Sequence, residues 1–405
     1  MRAYERLLQY VKIHTTSDPE AQSEPSTERQ FDLARLLAGE MTELGISDVR
    51  VDEHCYVYGT IPASPGMEDK TSLGFLAHLD TSPSSCGENV QPVIHADYDG
   101  EDVRLNDRVV ISTKLFPHLK ELKGKTLITT DGTTLLGADD KAGIAEIMTM
   151  AERILSSDRP HGRICLAFTP DEEIGGGASH LDIPAFGARY AYTVDGCGEN
   201  EIEYETFNAA AAVFEIHGRN VHPGDAKDRM INAALLAAKL NTYLPAAETP
   251  SQTEGREGFF HMTGISGDVE HAKVSYIVRD HSTSHFEARK EMLRQIEKRL
   301  NEIYGEGTVI LTIREQYRNM AEMIRPCMHL VENAQEAIRE LGLEPKTHPV
   351  RGGTDGSQLS FRGLPCPNLG TGGYAFHGPY EHITVEGMDF VTEVLLRIIY
   401  KYAGE

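Results

Sequence analysis

Tyr4, Leu7, Leu8 and Val11 recur at the spacing of one helical face. Leu33, Leu36, Leu37, Met41 and Leu44 repeat that spacing after Thr27-x-x-Gln30, which reads as a capping box, and Gly45 supplies the stop. Short apolar runs follow at Leu73 to Leu79, Ile164 to Phe168 and Tyr190 to Val194, with a helical pattern from Gly143 to Leu155 among them. This alternation predicts a mixed sheet with flanking helices, an α/β layer.

From about Phe207 the pattern changes. A strand to His217, a helix from Met230 to Leu244, strands near Phe259 and Val274, a helix through Leu293 and a strand at Val309 to Ile313 are expected. That β-α-β-β-α-β order predicts a ferredoxin-like α+β insert. Beyond Met320 helix and strand alternate again, ending in an amphipathic helix from Met388 to Tyr402. The chain therefore reads as one discontinuous α/β domain, residues 1–206 and 320–405, carrying an inserted lid, residues 207–319.

Charge narrows the partners. With 39 basic and 62 acidic side chains the formal net charge is -23, which repels phosphate backbones and anionic lipid and argues against nucleic acid or membrane partners. Cys55, Cys86, Cys165, Cys197, Cys327 and Cys366 form no C-x-x-C pair, so neither a disulfide framework nor a thiolate zinc site is expected. Arg2, Glu5, Lys12 and Asp18 interrupt the first twenty residues, so no signal peptide is read there, and no apolar run is long enough for a membrane span. A cytoplasmic location is the expectation.

Five short segments carry candidate chemistry: His78-Leu79-Asp80, Gly137-Ala138-Asp139-Asp140-Lys141, Asp171-Glu172-Glu173, Val194-Asp195-Gly196 and Phe376-His377-Gly378. Most follow predicted strands, where an open α/β sheet forms its ligand crevice. Residues i and i+2 of an extended segment share a face, so Asp80 can orient one ring nitrogen of His78 while the other binds a metal. Glu172 and Glu173 are adjacent and point apart; one can ligate while the other takes a proton from a metal-activated water and passes it to a leaving amine. Asp139 precedes a helix start, where a carboxylate can bridge two cations or merely cap the helix. Asp195 and His377 complete an imidazole and carboxylate set that suits zinc and tolerates cobalt or manganese.

Taken together and in this order, these segments resemble the co-catalytic zinc exopeptidase family that includes carboxypeptidase G, the succinyl-diaminopimelate desuccinylases and the carnosinase-type dipeptidases. The resemblance implies two zinc ions per chain, one held by His78 and Asp195, the other by Glu173 and His377, with Asp139 bridging. It also implies Glu172 as general base, Asp80 as the residue orienting His78, and a cis peptide after Asp139. Asn220-Val221-His222-Pro223-Gly224, Arg351-Gly352-Gly353-Thr354-Asp355-Gly356, Thr371-Gly372-Gly373 and the stretch from Cys86 to Lys125 resemble the tripeptidase branch.

On that resemblance Arg351 takes the substrate carboxylate, to which its planar fork is suited, and His222 donates to the carbonyl oxygen as charge develops. Asn208 and Arg279 are further substrate-site candidates, whereas His261, His271, His281 and His285 read as lid surface. The implied activity is removal of the N-terminal residue from short peptides, chiefly tripeptides, and the resemblance also implies pairing as a homodimer. The rival readings are an N-acyl amino acid deacylase, a carboxypeptidase or dipeptidase of the same family, and a catalytically silent metal or peptide binder.

Overall fold

The computed structural model describes residues 1–404. The chain divides into two compact units, one of Met1–Tyr204, Glu322–Thr347 and Thr354–Glu405, the other of Glu205–Ala321 and His348–Gly353.

The first unit is built on a seven-stranded mixed sheet in the order Ser47–Val51, Val57–Ile61, Ile164–Thr169, Leu73–His78, Tyr190–Gly196, Asn368–Gly370, Ile202–Glu203. Strands Ile164–Thr169 and Leu73–His78 are buried along their whole length, which is why the sequence shows continuous apolar runs there rather than alternation. Leu76, Cys165, Ala167 and Ala191 pack under Leu181, Phe186, Leu359 and Leu364 on one side. Helix Ala138–Leu155 packs on Leu73–His78, with helices Ala3–Tyr10 and Val385–Ala403 against it. Gly143 lets that helix approach the sheet: a Cβ there would meet the Val194 carbonyl oxygen at 1.9 Å.

The stretch from Cys86 to Lys125 contributes strand Val93–His95 to a second sheet, in the order Gly373–Tyr374, His382–Thr384, Leu127–Thr129, Val93–His95. Tyr98, Val103, Ile111, Leu119 and Leu122 form its own small core with Leu127. It thus buttresses the strands on either side of His377.

The second unit is a four-stranded antiparallel sheet in the order Phe259–Gly267, His271–Asp280, Asn208–His217, Val309–Tyr317, with helices Ala233–Leu240 and Thr283–Tyr304. This is the ferredoxin-like arrangement the pattern predicts. Phe214, Val274, Tyr276, Phe286, Leu293 and Leu300 fill its core. Among the described residues no helix is long and apolar enough to cross a membrane.

Two expectations need revision. Thr27-x-x-Gln30 is no capping box: helix Gln30–Leu44 has Arg29 at its N-cap without a side-chain cap, and the Gln30 amide, which also donates to Thr27 Oγ1 at 3.2 Å, bonds Asp171 from both ends. His281 is not surface; it is 5% exposed, its Nε2 lies 3.0 Å from the Val350 carbonyl oxygen, and its ring packs against Phe207.

Glu146, within Ala138–Leu155, is fully buried and neither carboxylate oxygen has a hydrogen-bond partner. Burial, with a smaller contribution from Asp389, holds its pKa well above the ordinary carboxylate range. Because the folded-state pKa is the higher one, ionisation of Glu146 adds no penalty below its unfolded pKa; that part of the cost grows as pH rises above that value and levels off past the folded pKa. Glu146→Leu is expected to raise stability by about 1–3 kcal/mol more at pH 7 than at pH 4.5, read as melting temperature across that pH range. Equal effects at both pH values would refute this.

Candidate active site

Strands Ile164–Thr169 and Leu73–His78 run parallel with Thr169 opposite His78, and Leu76 lies opposite Thr193 of the next parallel strand. Their carboxyl ends therefore deliver Asp171 to Glu173, His78 to Asp80, and Asp195 to one edge of the sheet.

His78 is the centre of this edge. Its Nε2 lies 2.9 Å from Asp139 Oδ1 and 3.5 Å from Asp195 Oδ1. Its Nδ1 lies 2.9 Å from the Asp80 backbone carbonyl and 3.3 Å from that residue's Oδ1. The Asp80 carboxylate also accepts from the backbone N–H groups of Glu172 and Glu173, at 2.9 and 3.2 Å. On the far side of Asp139, His377 Nε2 is 3.0 Å from Asp139 Oδ2 and 3.0 Å from Glu173 Oε2, while Glu173 Oε1 is buried without a partner. The Asp139–Asp140 peptide is cis. The structure thus brings His78, Asp80, Asp139, Glu172, Glu173, Asp195 and His377 together within the first unit.

Electrostatics follow the crowding. Burial alone would lower the His78 pKa, but Asp195, Asp139 and Asp80 outweigh it and hold the imidazole well above its ordinary value. Hydrogen bonds to Asp139 and then Glu173 raise His377 to about 11. Asp139 is held below the carboxylate range by the two imidazoles against the pull of burial, whereas burial pushes Asp195 up to about 7. Glu172 is raised well above the ordinary range by burial and then by Asp195.

Several buried acids escaped the sequence reading as site residues. Asp140 accepts from the His78 N–H at 3.1 Å and the Gly143 N–H at 3.3 Å, so it caps the helix and anchors the strand end, leaving Asp139 to face the imidazoles. Glu381 accepts from the N–H groups of Leu136, Gly137 and Asp139 and fixes the loop that presents Asp139. Asp355 accepts from Thr169 Oγ1 at 2.8 Å, and burial raises its pKa to about 6. Asp140, Asp171 and Asp355 stood inside the motifs already singled out; Glu381 has no signal beyond lying four residues after His377.

A separate grouping of Glu24, His54 and His180 lies at the surface. Its two imidazoles are stacked, with centroids 4.4 Å apart and planes inclined by 15°, so their in-plane lone pairs run side by side instead of converging on an ion.

The four substrate candidates lie in the second unit. Arg351 donates through Nη1 to the Gly255 and Glu257 carbonyls and through Nη2 to Thr253, and sits over the rings of Phe207 and Phe259. His222 is exposed and its Nδ1 accepts from the Gly224 N–H at 3.1 Å, which makes Nε2 the donor nitrogen of the neutral ring. Asn208 is buried, donating to the Asp280 and His281 carbonyls and accepting from the Asn319 N–H. Arg279 lies over Tyr317 and donates to the Ala210 and Val278 carbonyls.

Residues 204–308 match the family described as Peptidase dimerisation domain. The fold is similar to that of aminopeptidase PepT from Bacillus cereus, at TM-score 0.79 and 23% identity over 99% of this chain and 98% of that one. It is equally similar to a tripeptidase from Staphylococcus aureus, at TM-score 0.79 and 22% identity over 100% of this chain and 98% of the other. Peptidase T of Alkaliphilus oremlandii is 52% identical over 404 residues, 98% of each chain. With that identity maintained from end to end, the chain belongs to the peptidase T family.

Proposed function

We propose that this peptidase removes the N-terminal residue from tripeptides using two divalent cations, one held by His78, Asp139 and Asp195 and the other by Asp139, Glu173 and His377. The observation that carries the reading is the double facing of Asp139, whose Oδ1 lies 2.9 Å from His78 and whose Oδ2 lies 3.0 Å from His377. A buried Glu173 oxygen without a donor, set among imidazoles and carboxylates, fits a cation better than it fits any protein group present. That donor set suits zinc, with cobalt or manganese as substitutes.

When bound, such cations polarise the scissile carbonyl and lower the pKa of a water to near neutrality. Glu172 takes the water proton and returns it to the departing amine, and its raised pKa suits a base that must give the proton back. No hydrogen bond engages its carboxylate among the described residues, whereas its neighbour Glu173 is turned to His377. Asp80 holds the backbone of both glutamates. In the second unit, the bonds Arg351 makes leave its Nε–H and one Nη2–H for a substrate carboxylate, and the His222 Nε2–H is suited to a developing oxyanion. Asn208 and Arg279 brace strands nearby in that unit. The match of residues 204–308 supports pairing of two chains through the second unit, and the family supports a cytoplasmic enzyme.

The test is a cleavage panel of di-, tri- and tetrapeptides, free and N-blocked, before and after chelation. Free tripeptides are expected to be cleaved fastest, with activity lost to the chelator and restored by zinc. Faster turnover of blocked peptides would point to a deacylase and overturn the aminopeptidase reading.

A further inference from the structure

The turn that presents Glu172 and Glu173 is gripped from two directions. At its tip, Asp80 receives both glutamate N–H groups. At its base stands Asp171, a non-glycine residue at φ 56° in the left-handed region that favours glycine. Its carboxylate, 5% exposed, meets no cation but three neutral donors: the Ser26 N–H at 2.6 Å, Ser26 Oγ at 2.5 Å and Gln30 Nε2 at 2.7 Å. Gln30 closes the contact from its other end, its Oε1 accepting from the Asp171 N–H at 3.1 Å, and the Asp171 carbonyl accepts from the Gly176 N–H at 2.8 Å. Every polar group of Asp171 is thereby committed, and all of this lies within the first unit.

A left-handed aspartate where glycine would fit without strain, bound to a glutamine used at both ends, is a device for holding one backbone course. A glutamine amide engaged as donor and acceptor toward a single residue cannot flip to suit an altered partner. The course it fixes runs directly into Glu172. The tether comes from a loop and helix start, Ser26 to Gln30, distant in sequence from the turn.

We propose that Asp171, clamped by Ser26 and Gln30, is a positioning residue that aims the Glu172 carboxylate. The proposal rests on Glu172 being the base. Misplacement of a reacting group by about 1 Å can cost on the order of 10²-fold in rate, so a lost clamp should appear in kcat.

The experiment measures kcat and KM on a tripeptide, zinc per chain and melting temperature for zinc-loaded wild type, Gln30→Ala, Asp171→Gly, Asp171→Asn, the double variant Asp171→Asn with Gln30→Glu, and Glu172→Gln. Gln30→Ala and Asp171→Gly are expected to lower kcat by about 10- to 100-fold, with KM and zinc content close to wild type. Glycine accepts the backbone angle, so its loss of rate would not come from a forced φ; Gln30→Ala, which leaves the Asp171 backbone unchanged, tests the clamp by itself. The double variant exchanges amide and carboxylate across the clamp and is expected to recover most of the kcat lost in Asp171→Asn, which general destabilisation would not allow. Wild-type kcat in Gln30→Ala and Asp171→Gly, or a loss that tracks zinc content, would overturn the proposal. Gln30→Ala leaves Asp171 in place, so it serves even if an Asp171 variant folds poorly. Near-normal turnover by Glu172→Gln would instead overturn the base assignment, a result distinguishable from failure of the clamp alone.

Discussion

Glu172→Gln is expected to lower kcat on a tripeptide by about 10³-fold, within the range general base catalysis supplies, while two metal ions per chain remain bound. The split between adjacent glutamates is the reason. Glu173 is turned to His377 at 3.0 Å, so a change at Glu172 removes no group from either cation set. The backbone of the pair is held through N–H groups by Asp80, and those bonds do not depend on the side chain that follows. Glutamine keeps the volume but, with the negative charge gone and an amide in place of one oxygen, can no longer take a proton. KM is expected to stay within about threefold, because a proton transfer realised in the transition state does not contribute to ground-state binding. The check is kcat with metal content measured on the same preparation. A variant that retained a tenth of the activity at full metal loading would exclude Glu172 as the base.

The sheet of the first unit was legible because burial on both faces writes continuous apolar runs, as at Leu73 to Leu79 and Ile164 to Phe168. The second unit was legible through the order of its elements. Motif residues that share one strand end, such as His78 and Asp80, could be related by periodicity alone; the meeting of Asp139 with both His78 and His377 could not. It depends on sheet order and on contacts between residues as far apart in sequence as Asp139 and His377, 238 positions, and the family resemblance stood in for that long-range information. What stayed hidden were the acids that hold the others in place. Asp140, Asp171, Asp355 and Glu381 bond backbone or neutral side chains, and a sequence does not distinguish an acid that ligates from one that receives N–H groups. Thr27-x-x-Gln30 misled for a related reason: a glutamine three residues after a threonine fits a local cap, but a buried carboxylate at Asp171 outcompeted it.

Replacing Asp139 is expected to be more damaging than replacing any ligand at the ends of the cluster. His377 and Asp195 each stand on one side, whereas Asp139 turns Oδ1 to His78 and Oδ2 to His377. Asp139→Asn keeps the size and one oxygen but puts an amide nitrogen, which cannot ligate, toward one of the two histidines. The variant should therefore retain at most one metal ion per chain, and His377→Ala should do the same while leaving the other set intact. Turnover separates them. A cation set of this kind lowers the pKa of water from 15.7 to about 7, so impairing it should cost at least about 10⁴-fold in kcat, and only Asp139→Asn weakens both sets at once. Glu381 holds the loop through the Leu136, Gly137 and Asp139 N–H groups, all of which persist in the variant, so the loss cannot be assigned to collapse of that loop. Metal analysis and tripeptide turnover on the two variants decide the point. Two ions per chain in Asp139→Asn, with more than about one hundredth of the wild-type rate, would mean that the sites do not share this carboxylate.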